Sequence, residues 1–357
     1  MALAVVLAGG GTGGHIFPAL ALAEAICKHE PGVHVHFVGT EGGLEARYVR
    51  AAGYALDQVP SRPLWGAGPI AALRAIAKLL RGILHARRIL KHVHASVVIG
   101  VGGYASVPTV VAALLSRIPT ALLEPNARAG RANRLLGRFA RAVFVQFEGA
   151  LDYFPRGRAH RLGFPVRAMP RGNAGSGEDG LRLLVLGGSQ GARSLNRALT
   201  HALDQLGGFH ITHQTGEADI EEVRTAYAHA GLHAELAAFF EDVPERLAQA
   251  DLVIARAGAA TVAELCMAGV PSLLVPYPYA ADDHQLANAC ELERAGACVV
   301  IPDAELGERL VSEVQTLASD AARRQRMSEA ASARATPDAA DRIWEVCRKL
   351  AVREKRL

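Results

Sequence analysis

Apolar residues in the first half of the chain fall in short runs, residues 5–8, 33–38, 96–99 and 119–123, separated by amphipathic helical stretches such as residues 19–29. Strand runs alternating with helices predict a parallel sheet covered by helices. Near Ala168 the pattern gives way to Met169-Pro170-Arg171-Gly172-Asn173-Ala174-Gly175-Ser176-Gly177, which reads as a linker or exposed loop. Beyond it the pattern starts again. Leu183-Leu184-Val185-Leu186-Gly187-Gly188 repeats Val5-Val6-Leu7-Ala8-Gly9-Gly10, Val253-Ile254 echoes Val98-Ile99, and Val270-Pro271-Ser272-Leu273 echoes Ile118-Pro119-Thr120-Ala121. The spacing between partners differs each time, so one architecture is laid down twice without a tandem repeat.

These echoes predict an α/β fold of two Rossmann-like, doubly wound parallel-sheet domains facing a central cleft, residues 1–163 and 164–340. A final helix, residues 341–357, carries an apolar stripe of Ile343, Val346 and Leu350 and is expected to pack back on the first domain. Ligands of such sheets bind at the carboxyl ends of the strands, where all the glycine-rich turns would lie. In the first turn Gly9, Gly11 and Gly14 fit G-x-G-x-x-G, the spacing that brings backbone N–H groups and a helix N-terminus up to a phosphate. A dinucleotide site is the first reading of that loop. A Walker A loop is excluded, because His15-Ile16 stands where Lys-Ser/Thr is required.

Composition narrows the picture. The chain has 357 residues, enough for two full cores. Its five cysteines, Cys27, Cys266, Cys290, Cys298 and Cys347, are scattered and form no C-x-x-C, so a reducing compartment is expected and a zinc site is not. No basic segment precedes the opening apolar run, and no stretch of about 18 apolar residues could span a bilayer, so neither a signal peptide nor a membrane span is expected. The net charge of +4 hides a division, since residues 1–163 carry 19 Lys and Arg against 8 Asp and Glu. No acidic residue stands between Asp57 and Glu124. An anionic surface is thus the expected partner of the first domain. Nucleic acid is not, because the basic region lacks interleaved aromatics.

The motifs in order, Gly10-Gly11-Thr12-Gly13-Gly14-His15, Gly102-Gly103-Tyr104, Glu124-Pro125-Asn126, Gly163-Phe164-Pro165-Val166-Arg167, Gly188-Ser189-Gln190-Gly191, Arg256-Ala257-Gly258-Ala259-Ala260-Thr261-Val262-Ala263-Glu264 and Asp283-His284-Gln285, resemble those of the MurG family. Two departures stand out: Leu123-Glu124-Pro125-Asn126 replaces the family's usual His-Glu-Gln-Asn, and Val107-Pro108 replaces a common Gly-Pro. The resemblance implies a GT-B fold. It also implies inverting transfer of N-acetylglucosamine from UDP-N-acetylglucosamine to the 4-hydroxyl of a lipid-linked muramyl pentapeptide in peptidoglycan synthesis. The work would be done peripherally, at the cytoplasmic face of the bacterial inner membrane. A UDP-sugar epimerase or a nucleotide-binding module without transfer are the alternatives. No cofactor is expected, and no D-x-D metal signature occurs.

By the same resemblance Glu264 grips ribose hydroxyls, Phe240 lies in the uracil turn, and Ser189, Gln190 and Arg167 hold the diphosphate. His284 and Gln285 reach the donor sugar, and Thr12, Gly13, Gly14, Asn126 and Ala259 complete the donor set. A carboxylate suits vicinal hydroxyls because it only accepts. Gly11, Thr12, Gly13, Gly14, Gly103 and Tyr104 are assigned to the acceptor. His15 is the candidate base, since imidazole titrates near neutral pH, with Glu124 its rival or its orienting partner. Arg74, Lys78, Arg81, His85 and Arg88 recur at +4 and +3 on one helical face, with Leu73, Ile76, Leu80 and Ile83 on another. With Trp65 they form the expected membrane surface, and Arg128, Arg131, Arg134, Arg138 and Arg141 form a second basic set.

Overall fold

The computed structural model of the chain describes residues 3–11, 13–40, 45–61, 69–170, 180–188 and 191–353, with residues 69–73 and 353 described in backbone only. It divides into two units, residues 1–167 with 336–357, and residues 168–335. The division falls after Arg167, somewhat later than the sequence pattern places it.

Unit 1 runs β1 (Ala4–Gly9), α1 (Gly13–His29), β2 (His34–Thr40), α2 (Glu45–Ala51), β3 (Ala55–Val59), α3 (Pro69–His92), β4 (Val97–Gly102), α4 (Gly103–Leu115), β5 (Thr120–Glu124), α5 (Arg131–Leu136), β6 (Ala142–Val145) and β7 (Ala159–Arg161). The strands pair in parallel in the order β3-β2-β1-β4-β5-β6-β7. β4 is buried along its whole length, as an apolar strand must be when helices cover both faces of a sheet.

Unit 2 runs β8 (Leu181–Leu186), α6 (Arg193–Thr200), β9 (Phe209–Gln214), α7 (Ile220–His229), β10 (Ala234–Ala237), α8 (Val243–Gln249), β11 (Leu252–Ala255), α9 (Ala259–Ala268), β12 (Ser272–Leu274), α10 (His284–Arg294), β13 (Cys298–Val300), α11 (Leu306–Ser319) and α12 (Ala321–Ser332). Its sheet order is β10-β9-β8-β11-β12-β13, again parallel. Strand order reverses between β1 and β4 in one sheet and between β8 and β11 in the other. The sequence echoes therefore occupy equivalent strands, and the two glycine turns of each unit flank its switch point, where doubly wound sheets bind ligands.

The last helix, α13 (Ala339–Arg353), belongs to unit 1 and packs on α1, with His29 Nε2 at 2.7 Å from Asp341 Oδ1 and Arg348 Nε at 2.5 Å from Glu30 Oε2. Its buried face is Ile343, Trp344, Cys347 and Ala351. Val346 and Leu350, expected in that stripe, are only half-buried, because Trp344 and Ala351 turn the helix by part of a turn. Among the described residues no helix is long and apolar enough to cross a membrane.

Candidate active site

In unit 1 the loop after β1 is held by one buried carboxylate. Gly10 and Gly11 adopt φ of 154° and 94°. Behind them lies Glu45, 1% exposed, whose Oε2 accepts from Gly11 N–H at 3.0 Å and whose Oε1 accepts from Thr40 N–H at 2.7 Å and Thr40 Oγ1 at 3.0 Å. Sequence reasoning did not find Glu45. The N–H of Gly11 is thus engaged by a carboxylate within the protein.

His15 lies in the first turn of α1, against the turn that follows β4. A methyl group on Gly102 would come within 2.7 Å of its Cδ2 and 3.0 Å of its Nε2, and one on Gly103 within 3.5 Å of Cε1 and Nδ1. The Tyr104 ring stands 3.9 Å from where a Gly11 side chain would begin. Pro108 in α4 has no N–H for the Tyr104 carbonyl, which instead accepts from Ser61 Oγ at 3.0 Å. Gly11, Gly103, Tyr104 and His15 are therefore brought together, with Gly13 and Gly14 opening α1 beside them. Thr12 lies outside the described residues.

Glu124 ends β5 and is 1% exposed. Its Oε1 accepts from Asn126 N–H at 3.0 Å and Asn126 Nδ2 at 3.3 Å; its Oε2 accepts from Gly130 N–H and Asn133 Nδ2, both at 2.9 Å. Burial pushes this carboxyl above its ordinary value, against the pull of those four donors. A carboxylate so enclosed organises residues 125–133 and holds Asn126 in place. Arg167 belongs to unit 1, its guanidinium 4.3 Å over the Phe17 ring of α1.

In unit 2, Gln214 at the end of β9 ties two site loops together. Its Nε2 donates to the Gly188 carbonyl at 3.0 Å and its Oε1 accepts from Phe240 N–H at 3.0 Å. The expected uracil turn therefore has its Phe240 N–H already engaged. Ser189 and Gln190 lie outside the described residues. Arg256, 9% exposed, directly follows β11 and donates to Ser194 Oγ at 2.7 Å and Asp303 Oδ1 at 2.5 Å, fixing α6 beside the start of α9. Ala259 opens α9 after Gly258, and the half-buried Glu264 follows on the same helix.

Asn288 donates to the Ala257 carbonyl at 3.2 Å, drawing α10 to the start of α9. Before α10, Asp282 and Asp283 both take positive φ, 53° and 50°, a conformation Asp tolerates better than most side chains and one that clusters at functional sites. His284 Nδ1 lies 2.8 Å from the Ala281 carbonyl, which assigns its proton to Nδ1 and leaves Nε2 as acceptor when the ring is neutral. Gln285 Oε1 accepts from Tyr277 N–H at 2.9 Å, so its amide is oriented to donate. Among the described residues no group of three or more His, Cys, Asp and Glu could hold a metal ion.

The expected membrane face differs in which apolar residues it shows. Arg74, Arg81, His85 and Arg88 are exposed on α3 and Lys78 is half-buried. Ile76, Leu80 and Leu84 are exposed at 48%, 57% and 59%, a stripe at i, i+4, i+8 beside the basic residues. Ala86, Ile89 and Leu90 face the core instead, and Ile83 packs partly against them. The second set does not lie on one helix: α5 stops at Leu136, where Gly137 forms the cap, yet Arg128, Arg131, Arg134, Arg138 and Arg141 are all exposed, beside Leu135 and Phe139 at 58% and 64%. Trp65 lies outside the described residues.

Residues 5–145 match the Glycosyltransferase family 28 N-terminal domain and residues 182–343 the Glycosyltransferase family 28 C-terminal domain. Several curated relatives bear the name UDP-N-acetylglucosamine--N-acetylmuramyl-(pentapeptide) pyrophosphoryl-undecaprenol N-acetylglucosamine transferase. That of Anaeromyxobacter sp. (strain Fw109-5) is 44% identical over 97% of this chain and 93% of its own length. That of Myxococcus xanthus is 43% identical over 98% and 93%. Among solved structures, Acinetobacter baumannii MurG superposes with a TM-score of 0.78 at 32% identity, covering 97% of this chain and 99% of that one. A UDP-N-acetylglucosamine 2-epimerase reaches a TM-score of 0.67 at 14% identity over 97% and 95%, a likeness of fold alone.

Proposed function

The chain belongs to the MurG family of family 28 glycosyltransferases, and on that premise we propose that it moves N-acetylglucosamine from UDP-N-acetylglucosamine to the 4-hydroxyl of a lipid-linked N-acetylmuramyl pentapeptide. The observation that carries the residue-level reading is His15, seated at the start of α1 between the opening glycine loop and the Gly102-Gly103 turn. Its imidazole takes the proton of the acceptor hydroxyl as that oxygen attacks the anomeric carbon. The new C–O bond forms with inversion as the bond to the UDP oxygen breaks, and UDP leaves as the anion.

Glu124 keeps Asn126 and its loop in register. The acceptor's pyrophosphate draws on the first-turn N–H groups of Gly13 and Gly14, with Thr12, and on the turn at Gly103 and Tyr104. On unit 2 Glu264 accepts from the ribose hydroxyls. The segment Ser189-Gln190-Gly191, ahead of α6, meets the departing diphosphate. Gln285 donates to a hydroxyl of the donor sugar, and His284 accepts at Nε2. A site that hydrogen-bonds a sugar hydroxyl rejects the epimer that lacks it in place.

The basic and apolar face of α3 suits anionic headgroups and the acyl boundary, and the acceptor's lipid tail supports a peripheral position on the membrane, which we propose is at the cytoplasmic side of the inner membrane. The test is UDP release by the purified protein. Release that requires both UDP-N-acetylglucosamine and lipid-linked muramyl acceptor is the expected result. No release from folded protein sinks the proposal, and conversion of the donor without acceptor favours an epimerase.

A further inference from the structure

The geometry points to Glu45 as a positioning residue for His15, acting through the peptide plane between Gly10 and Gly11. Its carboxylate is buried, and both oxygens are engaged, one by Gly11 N–H at 3.0 Å and the other by the backbone and hydroxyl of Thr40 at 2.7 and 3.0 Å. The space it fills exists only because two glycines flank it: a methyl on Gly10 would fall 2.4 Å from Oε1, and one on Gly39 would fall 2.6 Å from Cγ. Neighbouring βα turns have thus given up side chains to admit one carboxylate. Packing alone would not call for a charged group at that point, because burying an anion is favourable only where donors are aimed at it.

The consequence reaches the reacting end of the loop. With Gly11 N–H turned to Glu45, the peptide's other pole, the Gly10 carbonyl, points the opposite way and lies 3.1 Å from where a Gly103 side chain would begin. Gly102 and Gly103 are the residues against which the His15 ring rests. Glu45 thereby fixes the Gly10-Gly11 plane, the plane meets the Gly103 turn, and that turn sets the seat of the imidazole. The role rests on the transfer reaction proposed above.

Two variants test it by different physical routes. Glu45→Gln keeps the shape but has one acceptor oxygen, so with that oxygen on Thr40 the amide NH2 confronts Gly11 N–H. Gly39→Ala keeps the carboxylate but displaces it. Both are expected to lower kcat on lipid-linked acceptor at least tenfold, with the KM for UDP-N-acetylglucosamine and the Kd for UDP within twofold of the parent. A purely structural role would lower active fraction and UDP binding together. Either variant, folded by circular dichroism and retaining the parent kcat, overturns the proposal, as does a parallel loss of UDP affinity. If one variant does not fold the other decides, and failure of both to fold assigns Glu45 to stability alone. Absence of transfer by the parent protein would sink the reaction itself, which is a separate outcome.

Discussion

Replacing Gly102 by alanine separates the seat of His15 from the stability of the turn. Gly102 has φ 108° and ψ 178°, a region that only glycine occupies readily, so any β-carbon there costs about 1–3 kcal/mol. The same methyl would lie 2.7 Å from His15 Cδ2 and 3.0 Å from Nε2. Carbon contacts settle at about 3.5–4.0 Å, so the ring must withdraw by roughly 1 Å. A misplacement of about 1 Å at a reacting group lowers the rate on the order of 100-fold, equivalent to about 2.7 kcal/mol of transition-state stabilisation.

Steady-state UDP release with lipid-linked acceptor should therefore show kcat down by about two orders of magnitude, while calorimetry gives a UDP Kd close to the parent's. The strain alone lowers the thermal midpoint by several degrees, at about 2–4 °C per kcal/mol for a domain of this size. Gly157→Ala is the control, because Gly157 also has positive φ, 79°, but nothing lies within 4 Å of its added methyl. That variant should lose stability and keep its kcat. A folded Gly102→Ala protein with kcat within about threefold of the parent, where the geometric argument calls for about 100-fold, would refute the seating of the base.

Further expectations follow from other parts of the chain. His15→Ala should cut turnover by at least a hundred-fold, the order of a lost general base, and leave UDP affinity nearly intact, while Glu264→Ala should weaken UDP; equal losses of UDP affinity in both refute that division. Burial lowers His213 to about 4 from 6.5, so the folded state binds its proton less well than the unfolded chain does. The stability this neutral ring contributes is present above pH 6.5 and lost as pH falls toward 4, roughly 3 kcal/mol in all. Thermal unfolding of the parent and of His213→Gln across that window should show the slope flattened in the variant. Arg81→Glu with Arg88→Glu should reduce co-sedimentation with anionic liposomes and spare transfer to a short-tailed acceptor; unchanged sedimentation counts against the α3 face.

The sheets were legible because a parallel strand buried on both faces is a continuous apolar run, and β1, β4, β11 and the Leu183–Leu186 part of β8 all read that way. The glycines flanking each switch point were legible for a related reason, since Gly102, Gly103 and Gly191 take conformations that side chains disfavour. Glu45 was not. Its partners Gly11 and Thr40 come from different turns, and nothing local marks a carboxylate as inward when its donors are backbone N–H groups. Gln214 was hidden likewise, as one polar residue at a strand end. Periodicity found the two faces of α3 but could not say which apolar positions face solvent, because Leu80 and Leu84 repeat as regularly as Ala86 and Leu90. The same limit applies to α13, where Trp344 decided the buried face.

The two glycine turns share a signature and differ in what stands behind them. Behind β8 the backing group is Gln214, which engages the Gly188 carbonyl and Phe240 N–H and adds no charge. Behind β1 it is Glu45, a carboxylate that consumes the Gly11 N–H. A helix N-terminus carries only about half a positive charge, so a carboxylate a few ångströms from one offsets much of its pull on an anion. A neutral amide leaves that pull intact. On the proposed function, the turn in unit 2 meets the charge that develops as a diphosphate leaves with no anion behind it, whereas the loop in unit 1 keeps the N–H groups of Gly13 and Gly14 for the acceptor's pyrophosphate and gives up that of Gly11 to fix its own geometry. The spacing G-x-G-x-x-G, which both the dinucleotide reading and the acceptor reading share, does not distinguish these uses; the residue seated behind the glycines does.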